Sequence, residues 1–352
     1  MTRGRIIRSL LALALVLTLG IGGVLRARTI THPATGGETM GTGYTARISG
    51  RVSQRDLKAL SEEINRALVE VNRQMSTWDP DSEISRFNHS RGVDPFPCSA
   101  AFASVTRQAL ELSERTGGAF DPTLQPLLNL WGFGSEAETE AVPTDAALAA
   151  AKRITGWEKL SAGESWIKKE EPELSLALGA IAKGHGVDAL AAIMKRTGHE
   201  NWFVEIGGEV AVQGLNPDGD PWRIGIQHPS SNPFDNRVRG VVHLTNGAVA
   251  TSGDYRNFIE EDGVVYSHIL DPRSGKAVKS STASVTVIAP TCALADGAAT
   301  ALFVMGPVEG VQWVNERPDL EAMFLIRGDE DDEFMEVFSS GFKAATGYTS
   351  EL

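Results

Sequence analysis

Trp202-Phe-Val-Glu-Ile-Gly-Gly-Glu-Val-Ala-Val-Gln213 decides the fold class. Trp202, Val204 and Ile206 alternate, a period of two that reads as a strand buried on one face. Gly207-Gly208 then reverses the chain into Val210 and Val212, which makes the pair antiparallel. Trp222, Ile224 and Ile226 repeat the alternation. Val241 to Leu244, Asn246-Gly247 and Ala248 to Thr251 read as a hairpin with a tight turn. Val285, Val287 and Ile288 supply a further strand. Residues 320–338 read as a closing hairpin, its tip the acidic run Asp329 to Glu333, expected to be a solvated loop.

Helices flank these strands. Leu57, Leu60, Ile64, Leu68, Val71 and Met75 fall at three- and four-residue steps, the spacing of one helical face. Phe102, Val105, Ala109 and Leu112 mark a second helix, ended by Gly117-Gly118. A short surface helix is expected within 135–165, and another helix over 183–197, closed by Gly198. Helices mixed with mostly antiparallel strands predict an α+β fold rather than a doubly wound sheet. No internal repeat is visible. Residues 39–352 are read as one domain, or one with two subdomains.

The 352-residue chain carries a net charge of −12. Its first 28 residues hold five Arg and no acid, leaving 28 basic against 45 acidic residues in the rest. An acidic body without a basic block argues against a nucleic-acid partner. It also disfavours a phosphate-bearing ligand unless a divalent cation accompanies it. Arg3, Arg5 and Arg8 precede an apolar run from Leu10 to Leu25, so residues 1–28 read as a signal peptide or an uncleaved inner-membrane anchor. The body is then expected in the periplasm. No Cys follows the run, which excludes a lipoprotein. Residues 29–38, polar with Pro and Gly, are expected as a tether. Cys98 and Cys292 form no C-x-x-C, and both are expected as buried free thiols.

The stretch with the most chemistry is Ala295-Asp-Gly-Ala-Ala-Thr-Ala-Leu-Phe-Val-Met-Gly306. Leu294, Ala298 and Leu302 mark it as a buried helix, and Asp296 and Thr300, four apart, share one face. A buried carboxylate and hydroxyl need partners. A hard, oxygen-seeking cation would serve; so would a helix cap and a back-bonded Thr. Gly179-Ala-Ile-Ala-Lys-Gly184 opens a helix with Lys183 at its mouth, suited to an anion, although the P-loop spacing is missing. Met40-Gly-Thr allows close backbone approach to a ligand or simply turns the chain. Trp78 stacks on a flat ring or lids the core. Gly117-Gly-Ala-Phe-Asp-Pro-Thr123 is a turn with Asp121 before Pro122. Glu205-Ile-Gly-Gly208 and Thr251-Ser-Gly-Asp-Tyr255 are further Gly turns. In Ser267-His-Ile-Leu-Asp-Pro-Arg-Ser-Gly275, His268 is either a base or a structural histidine. The metalloprotease H-E-x-x-H and the G-x-S-x-G elbow are absent.

Taken in order, these motifs resemble the ApbE family, the FAD:protein FMN transferases, over residues 38–345. The resemblance implies an ApbE-like, T-fold-like architecture in an exported or membrane-tethered bacterial protein. It implies FAD as substrate and Mg²⁺ or Mn²⁺ as cofactor. A Thr or Ser hydroxyl of an acceptor protein attacks the FMN phosphorus and AMP leaves. The acceptor is expected to be a flavoprotein subunit of a membrane electron-transfer complex. By similarity, Asp296, Thr300 and the carbonyl of Ala180 hold the metal. Met40, Trp78, Ala119, Phe120, Asp121, Lys183 and Leu270 contact FAD, and His268 is the general base. The chain departs from the family pattern at Ala177, where an Asp is usual, and at His185, where Tyr is common. A FAD pyrophosphatase and a non-catalytic exported FAD-binding protein remain as alternatives.

Overall fold

The computed structural model describes residues 29–137, 142–230, 232, 235, 237–254, 258–261, 264–328 and 333–351. The strands that frame the fold are β1 (Ala34–Thr39), β2 (Thr42–Ile48), β3 (Trp202–Ile206), β4 (Glu209–Gln213), β5 (Trp222–Gln227), β6 (Val238–Leu244), β7 (Asn246–Gly253), β8 (Thr282–Ala289), β9 (Glu321–Arg327), β10 (Phe334–Phe338) and β11 (Thr349–Ser350). Four helices matter most: α1 (Gln54–Met75), α2 (Ala100–Arg115), α3 (Gly179–Arg196) and α4 (Cys292–Asn315). Eight strands form one sheet in the order β10-β9-β8-β7-β4-β3-β2-β1, antiparallel at every step. A smaller sheet has the order β5-β6-β11.

The period-two pattern explains the layering. In β7, Ala248 and Ala250 face the helices and Val249 faces the small sheet. In β9, Ala322 and Phe324 face the helices while Met323 and Leu325 face the other way. The large sheet is therefore buried on both faces, by α3 and α4 on one side and by β5 and β6 on the other, and β8 is buried along almost its whole length. This is the α+β architecture the sequence predicts.

Helix α4 is apolar around its circumference, so it lies inside the molecule. Among the described residues it alone is long and apolar enough to cross a membrane, yet most of it is buried in the core. Gly306, at φ 76°, interrupts it ahead of Pro307. α3 crosses α4 with the two backbones nearly touching: a Cβ on Gly184 would lie 2.3 Å from the Cys292 carbonyl oxygen. Asp188 of α3 accepts the N–H groups of Cys292 at 2.8 Å and Ala293 at 2.9 Å. It thereby caps α4, whose own N-cap residue Thr291 makes no side-chain cap bond.

Three expectations change. Residues 29–38 are not a tether: Thr29–Thr31 pairs with Arg51–Ser53, and β1 pairs with β2 through all six residues. Val241–Thr251 is not a hairpin: β6 lies in the small sheet and β7 between β4 and β8 in the large one. The chain changes layers at Thr245, whose carbonyl accepts from Gly214 at 2.7 Å. The helix expected from 183 begins at Gly179, so Lys183 lies a full turn inside α3. Cys292 is buried and Cys98 half-buried, and both are free. Residues 1–28 and Asp329 to Asp332 of the acidic tip lie outside the described residues.

Candidate active site

A cleft of ≈ 1010 Å³ opens beside the α3–α4 crossing. Met40, Ala119, Phe120, Asp121, Ala180, Lys183, His268, Leu270, Asp296 and Thr300 all line it, from segments spread over 260 residues of sequence. Trp78 does not line it; it is 75% exposed on the loop after α1.

Each wall has a local cause. Met40 and Gly41 form the two-residue turn between β1 and β2, at φ 51° and 72°. Positive φ at both positions is the hairpin geometry that matches strand twist. A Met in that region is strained, and its side-chain end rests on α3 beside Gly186. Gly117 and Gly118, both at positive φ, end α2 and deliver the buried Ala119 and Phe120 to the cleft. Asp121 then pins the loop. Its carboxylate accepts from the Thr123 N–H at 2.8 Å, the Thr123 hydroxyl at 2.6 Å and the Trp157 N–H at 3.2 Å. Burial raises its pKa, although those donors oppose the rise. Asp121 is thus a turn residue and a lining residue at once.

The charged centre lies where α3, α4 and β4 meet. Asp296, 4% exposed, accepts the Gly184 N–H at 2.9 Å through Oδ2. Thr300 Oγ1 lies 3.0 Å from Ser252 Oγ and 3.5 Å from the Asp296 carbonyl. The Lys183 ammonium donates to Glu209 Oε1. Burial would lower the Lys183 pKa, but the carboxylates of Asp296 and Glu209 outweigh it and raise it. Burial and then the Asp296 charge push Glu209 up to about 7, against the pull of Lys183. Asp296 is raised by burial, opposed by Lys183 and the Gly184 N–H. Two buried carboxylates thus share one ammonium, an arrangement short of positive charge.

A hard divalent cation fits this deficit. Among the described residues no three His, Cys, Asp or Glu side chains gather as a metal cluster. The donors gathered around Asp296 are its own carboxylate, the hydroxyls of Thr300 and Ser252, and the backbone of Ala180, all oxygen, as Mg²⁺ prefers when it also keeps waters and phosphate oxygens. His268 sits across the cleft, its ring edge-on to Phe133 at 6.2 Å.

Glu209, Ser252 and Asp188 were not singled out by sequence reasoning. Glu209 left one signal: it stands directly after Gly207-Gly208 at the head of the apolar run Val210-Ala-Val212. Ser252 lay within a Gly-turn motif that is weak alone. Asp188 gave none, because its role depends on where α4 begins.

An antiparallel sheet backed by two crossed helices gathers a carboxylate, hydroxyls and a lysine in one large cleft, the groups that a phosphorylated ligand with a hard cation would need. The chain belongs to the ApbE family, whose model matches residues 40–324. It is 46% identical over 308 residues to the FAD:protein FMN transferase of Vibrio cholerae, covering 87% of this chain and 90% of that one. It is 36% identical over 312 residues to the Escherichia coli K12 protein of the same name, covering 88% and 87%. The solved structure of the flavin transferase ApbE from Vibrio cholerae superposes with a TM-score of 0.79 at 43% identity, over 90% of this chain and 98% of that one. That of the Pseudomonas stutzeri flavinyl transferase ApbE, apo form, gives 0.81 at 36% identity, over 91% and 98%.

Proposed function

We propose that this protein transfers FMN from FAD to a Thr or Ser hydroxyl of an acceptor protein and releases AMP, with Mg²⁺ or Mn²⁺ as cofactor. The observation that carries the reading is the convergence of Asp296, Thr300 and Lys183 in one cleft of an ApbE-family chain. Phosphoryl transfer of this kind asks a protein mainly for positioning and charge neutralisation. Asp296, Thr300 and the Ala180 carbonyl would hold the cation, which neutralises diphosphate charge when bound. Lys183 contacts the diphosphate. Met40, Ala119, Phe120, Asp121 and Leu270 orient the dinucleotide along the walls. His268 takes the proton of the acceptor hydroxyl as its oxygen bonds to the FMN phosphorus. The bond from that phosphorus to the bridging oxygen breaks, and AMP departs with the electron pair. Trp78, on the exposed loop, reaches FAD only if that loop folds over the cleft.

The acceptor is proposed to be an exported flavoprotein subunit of a membrane electron-transfer complex. Residues 1–28 would deliver the domain to the periplasmic face, as a cleaved signal or as an inner-membrane anchor.

The test is AMP release from FAD with Mg²⁺, with and without a Thr-containing acceptor domain, the acceptor then being weighed by mass spectrometry. AMP together with an acceptor heavier by one FMN is the expected result. AMP without a heavier acceptor would identify a pyrophosphatase. FAD bound with no AMP would identify a flavin-binding protein and put Ala177 under suspicion.

A further inference from the structure

Among the charged groups that line the cleft, Glu209 is the buried one for which the proposed chemistry gives no role. It is 2% exposed, lines the cleft and spends only Oε1, on Lys183. Its second oxygen, Oε2, is buried and has no hydrogen-bond partner among the described residues. A carboxylate oxygen stripped of water and left unpaired is costly. Such an atom persists where a ligand completes it.

The chemistry of the missing partner is constrained. In the ionised form that pairs with the Lys183 ammonium, Oε2 accepts only, so the partner must donate. Phosphate oxygens near neutral pH carry no proton to give, and Glu209 repels them. The diphosphate is instead the natural partner of Lys183, which uses one of its three N–H groups on Glu209. The dinucleotide proposed as substrate offers donors elsewhere, in sugar and ribityl hydroxyls and in ring N–H groups. The side chain enters the cleft from β4, immediately after Gly207-Gly208. Those glycines, at φ 59° and 104°, bring backbone rather than side chains to the wall of the cleft.

Resting on the flavin-transferase reading, we propose that Glu209 is a positioning and ligand-binding residue: Oε1 fixes the Lys183 ammonium against the diphosphate, and Oε2 accepts a hydrogen bond from a hydroxyl or N–H of one half of the bound dinucleotide. Discrimination follows. A carboxylate acceptor favours a ligand that presents a donor there and rejects one that does not, since the latter leaves Oε2 buried and unpaired.

Glu209→Gln tests this with little change of shape. The amide oxygen can still accept from Lys183, but the second position becomes a donor. Binding of FAD, FMN and AMP to wild type and variant is measured by fluorescence and calorimetry, each with Mg²⁺ and with EDTA. Thermal unfolding checks the fold, and Glu209→Ala serves as a second variant. The expected result is roughly tenfold or greater loss of FAD affinity in both media. The same loss appears for FMN or for AMP but not for both, which names the half that supplies the donor. Unchanged affinities would overturn the proposal. So would equal losses for FMN and AMP, which would mark a general loosening of the cleft. A loss confined to the Mg²⁺ samples would overturn it too, assigning Oε2 to the cation. Wild-type protein that binds no FAD would sink the transferase reading and this inference together, whereas wild-type binding with an indifferent variant sinks the inference alone.

Discussion

Asp296 sits where an apolar helix would otherwise bury alanine: Ala295, Ala298 and Ala299 around it are all sequestered. A carboxylate in that setting destabilises the fold unless it is partnered, and the structure gives it one N–H, from Gly184. Asp296→Ala is therefore expected to abolish Mg²⁺-dependent AMP release, by about 100-fold or more. Stability should change little, within about 2 kcal/mol. Near-normal turnover would refute the metal assignment. His268 poses a different question, because its ring is held against Phe133 and a structural role is open to it. His268→Ala should slow transfer by about 10²- to 10⁴-fold while FAD affinity moves much less. Equal losses in rate and affinity would make His268 a binding residue. Most of the candidate residues that meet in the cleft were legible because their motifs stand in order along the chain. Glu209 was not, since what makes it unusual is its burial against Lys183, a residue 26 positions earlier.

At the scale of elements, the α3–α4 crossing sets the distance between Lys183 and Asp296. Two devices hold it: the absent side chain at Gly184 and the Asp188 cap on α4. Asp188→Ala leaves two buried N–H groups at the start of α4 without their acceptor. It should cost about 1–2 kcal/mol and, by loosening the helix that carries Asp296, reduce turnover as well. Chemical denaturation and AMP release measured together check this; a stability loss with unimpaired turnover would mean that the cap does not position the site. Helices such as α1 were readable because one face repeats every three to four residues. The β6–β7 segment misled because Asn246-Gly247 looks like a hairpin turn. The actual partners of β7, Ala211 and Val287 among them, lie far away in sequence and draw it into the other sheet. β1 was invisible for a related reason: Ala34-Thr-Gly-Gly-Glu-Thr39 has no apolar alternation, and it is a strand only because β2 pairs with it.

For the whole molecule, that last strand couples the N-terminus to the cleft. The eight-stranded sheet ends at β1, and the chain leaves β1 through Met40, which lines the cleft. Side chains reinforce the edge: Thr35 Oγ1 lies 2.9 Å from Ser61 Oγ, and Asn72 donates to Thr39 Oγ1 at 3.0 Å, tying β1 to α1. Residues from Thr29 onward are therefore paired into the fold and are not a polar spacer. Two truncations separate this arrangement from a polar tether. Removing residues 1–28 should leave the melting temperature and AMP release of the domain intact. Removing residues 1–39 deletes β1 and frees the Met40 turn from its partner strand. It should lower stability by at least about 2 kcal/mol, from lost pairing and the two side-chain bonds, and weaken FAD binding because the Met40 wall is no longer held. Thermal unfolding and FAD titration of the two truncated proteins give the comparison. If both behave alike, residues 29–39 act as a tether in solution and the cleft does not depend on the sheet edge.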